Sequence, residues 1–121
     1  MYELGVERTF SAAHQLRGYK GKCESLHGHT YKVEVVVTAT ELNDIGLAID
    51  FKDLKRIIDA MLEHYDHHLI NEIPPFDQVN PSAENIARVF HQTISSQLPD
   101  NAGLKAVKVW ESENSWATYS E

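Results

Sequence analysis

Seven histidines in 121 residues are where this sequence most clearly points to chemistry, and their spacing divides them into groups. His27 and His29 flank Gly28 in "CESLHGHTY", at the entry to a β-branched run. In an extended chain, side chains at i and i+2 point to one face, so both imidazoles can turn to a single ion. The glycine between them permits close approach. A third ligand is needed, and His14 is the candidate. It ends the first extended segment, which a hairpin-like pairing would bring beside the second. Three imidazoles without a thiolate match a zinc site that keeps one position for water or substrate. His64 and His68 form a rival pair. They are four residues apart at a helix end and able to share a face, but a third donor is not obvious unless Asp66 or a distant residue joins them. The plainer alternative there is a polar helix end, where histidine interacts with the terminal carbonyls.

Other reactive groups surround these histidines. Cys23 lies in a polar loop beside Lys20 and Lys22, and nearby cations lower a thiol's pKa and enrich the thiolate. Such a thiolate can act as base or nucleophile; the alternative is a buried, inert cysteine. In "YDHHLIN", Asp66 precedes His67, and an Asp–His hydrogen bond would fix an imidazole tautomer and raise its basicity. In "LKAVKVWESE", alternation places Val107, Val109 and Glu111 on one face. A carboxylate ending a buried face is costly unless paired. A ligand with adjacent N–H donors would satisfy it; otherwise the strand ends at Trp110 and Glu111 is solvated. Arg17, Lys20 and Lys22 form a basic run in an acidic chain, either a solvated loop or a dock for an anionic substrate.

The elements that must position these groups follow from periodicity. Residues 2–16 are extended, 17–29 form a loop, and "YKVEVVVTAT" (31–40) is a strand rich in β-branched residues. "ELNDIGLAID" combines turn residues with a second short extended piece. Asp50 stands at an N-cap, and apolar residues at three- and four-residue steps predict a helix over 51–65. The prolines of "NEIPPFDQVNPS" mark a loop. Ser82 or Asn80 caps a second helix, and two final strands, "LKAVKVWESE" and "WATYS", are joined tightly at "ENS". The order β–β–α–α–β–β predicts an α+β fold, a mostly antiparallel four-stranded sheet covered on one face by two helices. Sheet edges must be paired or covered, so association through them is expected.

Composition excludes several classes. The length suits one domain over residues 1–121. A net charge of −7 argues against a nucleic-acid partner. No run of about 18 apolar residues is available for a membrane span. The N-terminus "MYELGVERTF" lacks the basic and apolar regions of a signal peptide. A single cysteine cannot form an internal disulfide, so a reducing cytoplasm is the expected compartment.

Together "FSAAHQL", "CESLHGHTYKVEV", "AIDFKDLK", "YDHHLIN", "NPSAENIA" and "VKVWESENSWATY" resemble the 6-pyruvoyltetrahydropterin synthase family across nearly the whole chain. The closer likeness is to its bacterial 6-carboxytetrahydropterin synthase branch, which serves queuosine synthesis. The resemblance implies the tunnelling fold, with sheets joined into trimeric barrels stacked as homo-hexamers. It implies Zn²⁺ held by His14, His27 and His29, with Cys23 as proton acceptor and His67 with Asp66 as a proton relay. Glu111 would anchor the amino-pyrimidine edge of the pterin and link to the relay, and Ser82 falls near the pterin. The implied substrate is 7,8-dihydroneopterin triphosphate, a pterin triphosphate whose phosphates Arg17, Lys20 and Lys22 suit by charge. In the carboxy branch triphosphate and acetaldehyde leave; in the pyruvoyl branch only triphosphate leaves. Glu24 departs from the minimal motif. Some members with a glutamate in this region cleave the dihydroneopterin side chain for folate synthesis, so dual activity is one alternative. A non-enzymatic zinc or pterin-binding module is another. His68 has no assigned role.

Overall fold

Two long strands, β1 (Tyr2–His14) and β2 (His27–Ala39), pair antiparallel from end to end, with Tyr2 opposite Ala39 and His14 opposite His27. The structure is a computed structural model that describes residues 1–21 and 24–121. β3 (Gly103–Ser112) pairs with β2, and β4 (Ser115–Tyr119) with β3, giving an antiparallel sheet in the order β1-β2-β3-β4. Helices α1 (Phe51–Leu62) and α2 (Ala83–Ser95) lie between the strand pairs in sequence, α1 packing on β1 and α2 on β3 and β4. This is the expected β–β–α–α–β–β architecture.

Strand alternation separates core from outer face. In β2, Tyr31, Val33, Val35 and Val37 are fully buried, whereas Lys32, Glu34 and Val36 are only half-buried. From β3, Val107 and Val109 join the same core. The helices contribute Leu54, Ile58, Ile86, Phe90 and Ile94. Phe10 ties the layers together. It stacks on Tyr31 across the β1–β2 ladder at 4.9 Å and 11° between planes, and meets Phe90 of α2 at 5.8 Å.

Both helices begin where the sequence places a cap. Asp50 Oδ1 accepts the Lys52 N–H at 2.9 Å, and Ser82 Oγ accepts the Asn85 N–H at 3.2 Å, satisfying donors that the first helical turn leaves free. Some boundaries differ from the periodicity. β1 stops at His14, and β2 starts earlier, at His27, because its histidine end still pairs with β1. α1 ends at Leu62, and Tyr65 stays in the core from the turn that follows. "ELNDIGLAID" supplies no strand among the described residues. Asn43 Oδ1 accepts N–H groups from both Ile45 and Leu47, closing a compact loop through Gly46 at φ 83°.

The outer edge of β1 is partly covered. Ala13 forms a parallel bridge with Leu69, and the Ala13 N–H donates to the His68 carbonyl at 3.1 Å. Phe10→Ala removes a ring that contacts both layers. Its expected cost is about 3–5 kcal/mol of unfolding free energy, measured by urea denaturation; a cost below about 1 kcal/mol would show that the ring is not what joins helix to sheet.

Candidate metal centre and surrounding groove

The β1–β2 register assembles the three predicted histidines. His14 is opposite His27 and Ala12 is opposite His29, so the rings project together onto the helix-covered face at one end of the sheet. A nitrogen of each lies within 4.8 Å of the others. The ring centroids are 4.6–5.0 Å apart, with the planes steeply inclined.

Hydrogen bonds settle how two of the rings face each other. His14 Nδ1 is 2.8 Å from the Pro81 carbonyl, and His27 Nδ1 is 2.6 Å from the Ser25 carbonyl. Carbonyls only accept, so each Nδ1 carries a hydrogen. In the neutral rings the Nε2 atoms are then bare, and they stand 3.0 Å apart. Two lone pairs so close repel unless a cation lies between or beside them. His29 Nε2 is buried, has no hydrogen bond, and lies 3.5 Å from Glu111 Oε1. An orphaned ring nitrogen beside two bare ones fits a bound metal ion, with the carbonyls of Pro81 and Ser25 fixing the tautomers as outer-sphere acceptors do in metal sites. Burial lowers the pKa of His14 and of His29, in spite of the Glu111 charge, which acts to raise both. Both rings therefore stay neutral, the form that binds metal.

The rival pair is not assembled. α1 ends before His64, so the helical spacing that would align His64 and His68 is lost. His64 lines a cavity with Tyr65 and Glu72, while His68 lines a different groove and its Nδ1 bonds the Asp66 carbonyl at 2.8 Å. His91 is buried elsewhere, edge-on to Tyr119 at 5.0 Å.

Asp66 and His67 are fastened to the edge of β1. The Ser11 N–H donates to Asp66 Oδ1 at 2.9 Å, and the His67 N–H donates to the Ser11 carbonyl at 2.6 Å. Asp66 Oδ1 also lies 3.1 Å from His67 Nδ1. The Ser11 N–H, with help from His67, holds the Asp66 carboxyl below its ordinary pKa. His67 occupies the left-handed region at φ 61°, uncommon for a residue with a side chain. Its imidazole is exposed, and it shares with His29 a groove of about 600 Å³. The Ser11 latch has no sequence signal beyond its position on an edge strand.

The remaining predicted residues divide. Glu111 reaches the cluster from β3, as the alternation required, with its side chain 31% exposed. Arg17 is already engaged: its guanidinium donates to the carbonyls of Phe76 at 2.7 Å and Asn71 at 3.4 Å, pinning the loop before α2. The Ser82 hydroxyl serves as the α2 cap. Lys20 and Glu24 are exposed. Cys23 and Lys22 lie outside the described residues.

The whole chain has known relatives. Residues 3–121 match the family model described as 6-pyruvoyl tetrahydropterin synthase. A Synechocystis protein named 6-carboxy-5,6,7,8-tetrahydropterin synthase is 34% identical, with 98% of this chain and 93% of that one covered. A Pyrococcus furiosus protein named dihydroneopterin monophosphate aldolase is 37% identical over 85% of this chain and 83% of its own. Among solved structures, Caenorhabditis elegans 6-pyruvoyl tetrahydropterin synthase superimposes with a TM-score of 0.84 at 26% identity, covering 100% of this chain and 97% of that one.

Two predictions follow from the geometry. His27→Ala should reduce bound metal from about one ion per chain to near zero by elemental analysis, since two imidazoles seldom retain zinc; undiminished metal would place the ion elsewhere. In the metal-free protein, His14 and His29 have folded pKa values below the ordinary 6.5. As pH falls from 6.5 toward those values, the unfolded chain takes up protons that the folded one refuses, so stability declines. Thermal melting across that interval should show the decline, and His14→Gln should make it shallower. A flat profile would mean that these rings are not held neutral.

Proposed function

The chain belongs to the 6-pyruvoyl tetrahydropterin synthase family, and from that premise we propose that it is a zinc-dependent lyase. It converts 7,8-dihydroneopterin triphosphate and one water to 6-carboxy-5,6,7,8-tetrahydropterin with release of acetaldehyde and triphosphate, in the cytoplasmic route to queuosine. The observation that carries this reading is the three-imidazole cluster, with two bare Nε2 atoms 3.0 Å apart and a third ring nitrogen orphaned beside them. The Synechocystis relative's name supports the choice of product.

Zn²⁺ held by His14, His27 and His29 supplies Lewis acidity toward the hydroxyls of the substrate side chain. The chain's own groups do the rest. Cys23, made acidic by Lys20, Lys22 and the cationic centre, takes a proton as general base. His67 exchanges protons at the opposite side of the substrate, oriented by Asp66, whose carboxylate is held ready by the Ser11 N–H. Glu111 receives the amino-pyrimidine N–H edge and links it to the relay. Ser82, with its hydroxyl also capping α2, lies toward the pterin. Lys20 and Lys22 meet the triphosphate, with Arg17 shaping the same loop through the Phe76 and Asn71 carbonyls. Among the described residues, β1 before Ser11 and β4 are the edges of the sheet, where backbone groups can pair between copies. That suits a homo-hexamer built as a dimer of trimers.

A second reading is favoured by the Pyrococcus relative, 37% identical and named an aldolase. Here Glu24, next to Cys23, serves as an additional acid/base and the enzyme cleaves the dihydroneopterin side chain. Incubation with 7,8-dihydroneopterin triphosphate and mass spectrometry of the products separates the outcomes. Carboxypterin with acetaldehyde is expected. Pyruvoylpterin without acetaldehyde sinks the carboxy assignment, and a 6-hydroxymethyl pterin supports the second reading. Cys23→Ala should lower turnover about a hundredfold or more, the usual worth of a general base, while leaving zinc in place. Undiminished turnover would remove Cys23 from the mechanism.

A further inference from the structure

Tyr31 is completely buried, yet its hydroxyl has no hydrogen-bond partner among the described residues. Buried polar groups are nearly always paired, because leaving one unpaired costs stability. The packing alone would be met by phenylalanine, since the ring stacks on Phe10 at 4.9 Å. What the hydroxyl adds must come from its surroundings.

Those surroundings are the histidine cluster. By strand alternation Tyr31 shares a face with His27 and His29. Its ring is edge-on to His29 at 5.5 Å and to His14 at 5.8 Å. The β2–β3 ladder pairs Lys32 with Trp110, the chain neighbours of Tyr31 and Glu111, and His29 meets both the Tyr31 ring and the Glu111 carboxylate. A phenol at neutral pH keeps its hydrogen and can donate it.

Glu111 needs such a donor. Its Oε1 is 3.5 Å from His29 Nε2. Once that nitrogen serves a metal ion, it can no longer donate to the carboxylate. Among the described residues, the Tyr31 hydroxyl is an unpartnered donor beside the same histidine. We propose that Tyr31 is a positioning residue: on metal loading its hydroxyl becomes the donor to one Glu111 oxygen and holds the carboxylate for the N–H edge of a pterin. This inference rests on the pterin-binding role of Glu111 proposed above.

A double-mutant cycle on the zinc-loaded protein tests it, reading the affinity for neopterin, a non-reacting pterin, by fluorescence titration. Zinc content should be equal in the parent, Tyr31→Phe, Glu111→Gln and the double variant. Tyr31→Phe should weaken binding about tenfold, the usual scale of a hydrogen bond to a charged group. The double variant should bind no worse than Glu111→Gln, because the hydroxyl acts through the carboxylate. A merely structural role for Tyr31 would make the two losses multiply, and that result, or unchanged affinity in Tyr31→Phe, overturns the proposal. A second measurement needs no substitution at Tyr31. Zinc added to the metal-free parent should produce a tyrosine difference absorbance that Glu111→Ala, which has no accepting oxygen there, lacks; its presence in both counts against the proposal. If the zinc-loaded parent binds no neopterin, the pterin reading itself fails. If the parent binds and the cycle is multiplicative, only the role of Tyr31 falls.

Discussion

The Nε2 atoms of His14 and His27 face each other at 3.0 Å, and each ring has already spent its other nitrogen on a carbonyl. In this neutral arrangement neither ring can donate to the other, so the pair is complete only with a cation. Several parts of the fold must agree to create it. The last rung of the β1–β2 ladder sets His14 opposite His27. The turn at Ser25 supplies one carbonyl and the segment entering α2 supplies the other, through Pro81. Because Ser82 caps α2 one residue later, the docking of that helix on β3 and β4 also aims the His14 ring. Packing through Phe10, Tyr31 and Phe90 is thus coupled to the histidine cluster, with Tyr31 in contact with both.

β1 serves the site with its buried face and its outer edge. Val6, Phe10, Ala12 and His14 turn into the core, and His14 ends the row at the histidine cluster. At Ser11 and Ala13 the backbone turns outward and is taken by Asp66, His67 and His68. One strand therefore holds the cluster on its buried face and the Asp–His pair along its edge, and His29 and His67 open onto one groove. The left-handed backbone at His67 is consistent with a segment whose course is dictated by these contacts.

Much of this was legible in the sequence because it depends on local period. Two-residue alternation fixes that His27, His29 and Tyr31 share a face, and that Val107, Val109 and Glu111 share another stretch of it. Apolar steps of three and four mark both helices, and Asp50 and Ser82 mark their starts. The order of these elements determines the fold class. Assigning His14 as the third ligand needed one more assumption, that the first two strands form a hairpin, and the register bears that out.

Tertiary structure decided the rest, because backbone carbonyls and edge N–H groups carry no side-chain signature. Pro81 reaches His14 across 67 positions, and Ser11 reaches Asp66 across 55. No spacing rule extends so far, since chain packing alone brings those groups together. The same packing separated His64 from His68 by ending α1 at Leu62, and it committed the Arg17 guanidinium to the carbonyls of Asn71 and Phe76. The sequence by itself determined which side chains share a face; only the folded chain determined which of them still have an unpaired nitrogen or hydroxyl for a ligand.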